Sequence, residues 1–133
     1  MTSGPPPVGE TDLQQLLAAM TPVLQPGIYV FCTVPAGAIP TQVDPVCQFR
    51  EAEGTTLIVR QEQAELAGLA YTYPARMITL TVQSSLAAVG FLAAITTRLA
   101  AEGISVNPVS AYYHDHLFVP VAQAEQALAV LVD

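Results

Sequence analysis

One short run in this chain carries side chains with evident chemistry: His114-Asp115-His116, inside HDHLFVP. In a strand, residues two apart share a face at about 6.5–7 Å. Two imidazoles so placed could hold zinc or another divalent cation. No third ligand adjoins them, although Asp44 or Cys47 could reach from elsewhere in the chain. The simpler reading is a polar hairpin turn in which Asp115 bonds local backbone amides. Ser84 and Ser85 complete the residue types of a Ser–His–Asp triad. The G-x-S-x-G setting of a nucleophile elbow is missing, so a hydrolase is not expected. A serine at a helix start commonly just accepts a bond from a free amide. Cys32 and Cys47 lie in apolar, strand-like segments and are expected to be buried free thiols. No catalytic residue, resident metal or cofactor is expected from these patterns.

The elements around these residues are legible. Residues 76–82 alternate Ile78, Leu80 and Val82 with Thr79 and Thr81, the period of a half-buried strand. A long helix is expected over 85–102, with Leu92, Ile95 and Leu99 on one face and Gly103 ending it. Small residues (Gly90, Ala94, Thr97, Ala101) mark its other face and suit a close neighbour. Strands follow at 104–112 and 117–120, and a last helix buries Ala124, Ala127, Leu128 and Leu131. Strand, helix, strand, strand, helix is the skeleton of a split βαβ module, so the fold class is α+β and ferredoxin-like, with antiparallel sheets and helices on one face. Upstream, Thr11 and Gln14 fit a capping box, and Leu13, Leu16, Leu17 and Met20 follow at helical spacing. A strand at 28–34, a proline-rich loop at 35–45, a hairpin of 46–50 with 56–60, and a short helix at 61–67 complete the first half.

Composition narrows the partners. The 133 residues are 52% apolar and only 11% charged, with no lysine; Arg50, Arg60, Arg76 and Arg98 face eleven acids, for a net charge of −7. Nucleic acid needs a basic footprint and is excluded as an expected partner. Anionic membrane surfaces are disfavoured on the same ground. No apolar run has the length of a membrane-spanning helix, and MTSGPPPVG lacks the pattern of a signal peptide. A cytoplasmic location follows as the expectation. So few charges suggest that apolar surface is covered by a second copy, a homodimer.

The chain also repeats itself. LIVRQEQAELA (57–67) aligns with LFVPVAQAEQA (117–127), an offset of sixty residues, with Gln-Ala-Glu recurring at 63–65 and 123–125. Recurrence at equivalent points of two similar element orders indicates tandem modules. On this alignment helix 12–20 and strand 28–34 stand against helix 85–102 and strand 104–112. The expected organisation is a disordered lead-in over 1–10, a first module over 11–70 and a second over 71–133.

The run VGFLAAITTRLAAEGISVNPVSAYYHDHLFVPVAQAEQALAVL resembles the ACT domain, especially the regulatory ACT pair of aspartokinases. Together with YVFCTVP, FREAEGTTLIV and the Ser-Ser-Leu turn, it is similar to small bacterial proteins made of two ACT-like modules. The resemblance implies a non-enzymatic regulatory protein that binds a small effector, an amino acid above all, where modules meet. It places the ligand at the turn Gln83, Ser84, Ser85 and Leu86, with Gly90 beyond it and Asn107 on the next strand. The turn lacks the Asp or Pro-Gly common there in ACT domains. A helix start suits a carboxylate, and Asp115 or Asp44 could take the ammonium. The alternatives are a stand-alone protein–protein interaction module, which would bind a regulated partner without a small ligand, and a metal-assisted enzyme using the His-Asp-His turn.

Overall fold

The computed structural model describes residues 9–132. In chain order it contains α1 (Leu13–Ala19), β1 (Pro22–Leu24), β2 (Tyr29–Val34), β3 (Cys47–Arg50), β4 (Thr55–Arg60), α2 (Gln61–Leu66), β5 (Thr72–Leu80), α3 (Phe91–Ala101), β6 (Asn107–Ser110), β7 (Asp115–Pro120) and α4 (Ala124–Val132), the last entered through a 3-10 turn at Val121–Gln123. The lead-in expected over 1–10 lies outside the described residues except for Gly9 and Glu10.

The described strands form one antiparallel sheet in the order β3-β4-β2-β5-β7-β6, with β1 beside the last residues of β5. The sixty-residue repeat is visible in its pairing. β3 on β4 matches β6 on β7, and Tyr29 opposite Arg60 matches Ala75 opposite Pro120. The pairing therefore sets β2 equivalent to β5, not to the strand at 104–112. The loop at 35–46 stands where α3 stands in the second half, and α1 is an addition that packs with α3. β5 serves both halves: Thr72 and Ala75 pair with β2, while 75–80 pair with β7.

Alternation along the strands divides the core. Ile78, Leu80, Leu117 and Val119 point to the face covered by α1, α3 and α4, where Leu16, Phe91, Ile95, Leu99 and Leu131 close a buried cluster. Val30, Cys32, Val34, Leu57 and Val59 share that face and pack under α2 through Ala64. No described helix covers the other face. Tyr29, Ile58, Met77 and Phe118 are nonetheless buried there, with Phe31 and Tyr73 alongside. Cys47 on one edge strand and Val109 on the other join this single cluster. Cys47 and Val109 also line one space with Met77 and Phe118, so the sheet curls, as twisted sheets do, and the helix-free face is concave. Edge-to-face contacts of Phe31 with Tyr73 and with Phe118, both at 5.7 Å, line its floor.

Two helix starts differ from expectation. α1 is capped by Asp12, whose Oδ1 accepts the Gln15 amide at 3.0 Å, one residue beyond the predicted Thr11. α3 begins at Phe91 rather than Ser85. Ser85 instead closes a tight turn, its hydroxyl accepting the Ala87 amide at 3.0 Å and its carbonyl the Ala88 amide. Gly90 then adopts φ 91°, a left-handed conformation that interrupts any helix running through it.

Candidate functional site

The segment 81–90, between β5 and α3, packs Val82 and Ala88 against the core and is clamped by backbone hydrogen bonds. The Glu10 amide donates to the Gln83 carbonyl and the Ser85 amide to the Glu10 carbonyl, both at 2.9 Å, making a parallel bridge. Gly9 lies so close that an added Cβ would come within 2.9 Å of the Gln83 carbonyl oxygen. This clamp turns Ser84 inward. Its buried hydroxyl donates to Asp115 Oδ2 at 3.2 Å. Asp115 opens β7 opposite Leu80, so alternation places its carboxylate on the helix-covered face.

Ser84 and Asp115 line a pocket of about 80 Å³. Ser85, Leu86 and Ala88 contribute from the turn, Phe91 and Leu92 from the first residues of α3, and Ser110 and Ala111 from the end of β6. The leading amides of α3 (Phe91, Leu92, Ala93) have no intrahelical acceptor, and the N-cap residue, Gly90, has no side chain to cap them. They add a partial positive charge. The pocket thus combines the Asp115 carboxylate, the partially positive start of α3, and the hydroxyls of Ser84, Ser85 and Ser110.

Of the residues singled out from the sequence, Ser84, Ser85, Leu86 and Asp115 come together here. Gln83 precedes the pocket and binds Glu10 through its carbonyl. Gly90 sets the direction of α3; a Cβ there would meet Leu13 of α1 at 3.6 Å. Asn107 pairs opposite Phe118 at the other end of β6 and is exposed, away from the pocket lining. Asp44 is exposed, its amide donating to Gln63 Oε1 at 2.7 Å on the first half. Ser110, Phe91 and Leu92 were missed by sequence reasoning, because the first is a plain strand residue and the others gain meaning only from where α3 begins. Position sixty before Asp115 is Thr55, opposite Val34, so this carboxylate belongs to the second half alone.

The His-Asp-His run is split by the same alternation. Only Ala111–His114 forms the turn, the Ala111 amide donating to the His114 carbonyl at 3.0 Å, while Asp115 and His116 already belong to β7. His116 faces the concave side, its Nδ1 at 3.0 Å from Thr79 Oγ1. Thr79 Oγ1 in turn accepts from Gln25 Nε2 at 3.1 Å. The His114 and His116 rings lie 6.3 Å apart. Burial, aided by His114, lowers the pKa of His116 against the opposing pull of Asp115. Among the described residues, no group of three or more histidine, cysteine or acidic side chains converges on a point that could hold a metal. Ser84 bonds Asp115 without an intervening imidazole, so the three triad residue types are not arranged for nucleophilic attack. Cys32 is a buried thiol whose pKa burial pushes up, and Cys47 is a half-buried thiol on the concave side.

Two ACT-domain family profiles match the chain, one over residues 8–76 and one over 72–133. They meet on β5, the strand shared by both halves of the sheet. The chain belongs to the ACT-domain family, as a tandem pair of ACT domains. A crystal structure of a Vibrio cholerae protein of unknown function, described as a possible transport protein, is 48% identical, covers 90% of this chain and 93% of its own, and superposes with a TM-score of 0.81. An Agrobacterium tumefaciens protein is 20% identical over 85% of this chain and 87% of its own, with a TM-score of 0.69. The regulatory subunit of aspartate kinase from Thermus flavus shares the fold at 13% identity, over 84% of this chain and 95% of its own, with a TM-score of 0.59. No curated protein matches significantly. ACT domains are regulatory modules. No described helix is long and apolar enough to cross a membrane.

Proposed function

We propose that this protein is a non-enzymatic regulator that binds a small free amino acid in the pocket between Ser84, Asp115 and the start of α3. The observation that carries the reading is the buried Asp115 carboxylate, whose hydrogen-bond partner among the described residues is one serine hydroxyl at 3.2 Å. That distance is long for an O–H···O⁻ bond, which commonly closes to about 2.5–2.7 Å. An ammonium entering beside Asp115 supplies the missing donors. The carboxylate of the same molecule then faces the uncapped amides of α3, and Ser85 and Ser110 offer hydroxyls to either group. At about 80 Å³ the pocket holds the zwitterionic head of an amino acid and little side chain.

The rim supports a dimer. Leu86 and Val89 are 69% and 84% exposed, and Tyr112 and Tyr113 stand next to Ala111 at 42% and 51%. Leu86 lines the pocket and the other three adjoin its lining segments in sequence, and together they are the surface a second copy would cover. The expected form is a cytoplasmic homodimer whose interface closes over the effector and passes its occupancy to a regulated partner protein. A thermal-shift screen with the twenty amino acids at millimolar concentration tests the ligand reading. Ligand at a hundred times its dissociation constant adds about 2.7 kcal/mol of stability. If none raises the melting temperature and calorimetry detects no heat, the effector reading fails. Sedimentation at micromolar concentration tests the dimer, and a species of 14.0 kDa refutes it.

A further inference from the structure

The concave face, on the opposite side of the sheet from the effector pocket, contains a second and larger cavity. It measures about 340 Å³, within the range of about 300–1,000 Å³ typical of small-molecule sites. Met77 and Phe118 form its floor, Val46 and Cys47 one wall, and Val109 and His116 the other. It exists because the sheet curls until its two edge strands flank the same space.

Of the polar side chains in the lining, His116 is the one held by a described hydrogen bond, while Gln48 and the Cys47 thiol stand on the opposite wall. Thr79 Oγ1 accepts the Gln25 amide proton, and His116 Nδ1, at 3.0 Å, is placed to accept the hydroxyl's own proton. With the hydroxyl donating to Nδ1, the ring proton resides on Nε2, the tautomer that leaves a donor for the cavity. Nε2 has no protein partner among the described residues. Thr79 is 4% exposed, so this relay is protected from water. The lining contains no aspartate, glutamate, lysine or arginine, so a charged guest would lose its hydration without gaining a counter-charge. The neutral imidazole favoured by burial fits the same chemistry.

We infer that the concave cavity is a second ligand site, for a compact, uncharged, largely apolar molecule carrying one hydrogen-bond acceptor, which the Nε2–H of His116 would engage. Strand alternation then gives β7 two recognition duties on opposite faces: Asp115 serves the charged effector and His116 the neutral guest.

Quinoline and indole make a matched pair of probes, both fused bicycles, the first offering a ring-nitrogen acceptor and the second an N–H donor. The full-length protein is titrated with each at neutral pH while the Met77 methyl and the His116 imidazole nitrogens are followed by NMR. Quinoline is expected to shift both signals saturably and to bind about tenfold more tightly than indole, the value of one well-made hydrogen bond against an unpaired donor. Val109→Trp and Val46→Trp each fill the cavity and abolish the response. The second change is at an exposed rim position and keeps the test usable if the first fails to fold. Thr79→Val removes the relay, frees the tautomer seen in the imidazole nitrogen shifts, and brings the two probes within about twofold of each other. The inference is overturned if quinoline gives no saturable shift, if wild type binds both probes equally, or if both filled variants still respond. Concentration-dependent broadening of these signals without any response to quinoline also overturns it, and assigns the face to a second copy of the chain.

Discussion

Replacing Asp115 by asparagine should move stability and ligand affinity in opposite directions. The substitution preserves shape and removes charge. In the free protein the carboxylate is 6% exposed, opposite Leu80, with the Ser84 hydroxyl at 3.2 Å as its donor. A neutral hydrogen bond contributes about 0.5–1.5 kcal/mol and one to a charged group about 1.5–3. The long Ser84 contact belongs at the low end of that scale, and it offsets little of the several kcal/mol that burial of a charge commonly costs. The asparagine amide can still accept from Ser84. Asp115→Asn should therefore leave the ligand-free protein as stable as before or up to about 1 kcal/mol more stable, a rise of about 3–5 °C for a domain of this size. With an amino acid bound, the variant loses the bond between ammonium and carboxylate. At about 1.5–3 kcal/mol, affinity falls about 10- to 150-fold. Differential scanning calorimetry and isothermal titration on the same preparations read both quantities. A drop of more than about 2 kcal/mol in ligand-free stability would show that Asp115 holds the fold together. Unchanged affinity would show that the ammonium sits elsewhere. Either result refutes the reasoning.

Gly90→Ala should cost about 1–2 kcal/mol, because Gly90 has φ 91° although its Cβ direction has room beside Leu13; chemical denaturation measures this, and a neutral result would mean that α3 restarts at a different residue. Phe118→Ala removes a 1%-exposed ring that packs edge-to-face on Tyr29 and Phe31, and should cost about 3–5 kcal/mol by the same assay. His116 should make stability depend on pH in a defined direction. Its folded pKa lies below the ordinary 6.5, so between that value and its folded pKa the unfolded chain binds more protons. Its contribution is thus complete above about pH 6.5 and is lost as pH falls toward the folded value. His116→Gln should flatten the melting-temperature profile in that window, and an unaltered slope would contradict the burial of the imidazole.

How much of this was legible in the sequence depends on the range of the interactions involved. Alternation of Ile78 and Leu80 with Thr79, the helical stripe through Ile95 and Leu99, the sixty-residue recurrence at 57–67 and 117–127, and the family resemblance are local or comparative signals, and they defined the ACT pair. Ser84, Ser85 and Leu86 were named through that resemblance and Asp115, like Asp44, by residue type, and the first four line one pocket. Other features were not legible. α3 starts at Phe91 because Glu10, more than seventy residues away in sequence, bridges Ser84 and holds the Ser85 turn out of the helix. The equivalence of β2 with β5 follows from strand pairing across the sheet, which no local pattern encodes. His114-Asp115-His116 looked like one cluster because sequence adjacency does not show which face a strand residue takes. That assignment rests on register: Leu80 opposite Asp115 and Thr79 opposite His116 send neighbouring side chains to opposite sides. Composition and periodicity determined which elements form and which residues are apolar. Only the curl and pairing of the sheet, set by long-range hydrogen bonds and packing, decided that one strand presents an acid to the helices and an imidazole to the concave face.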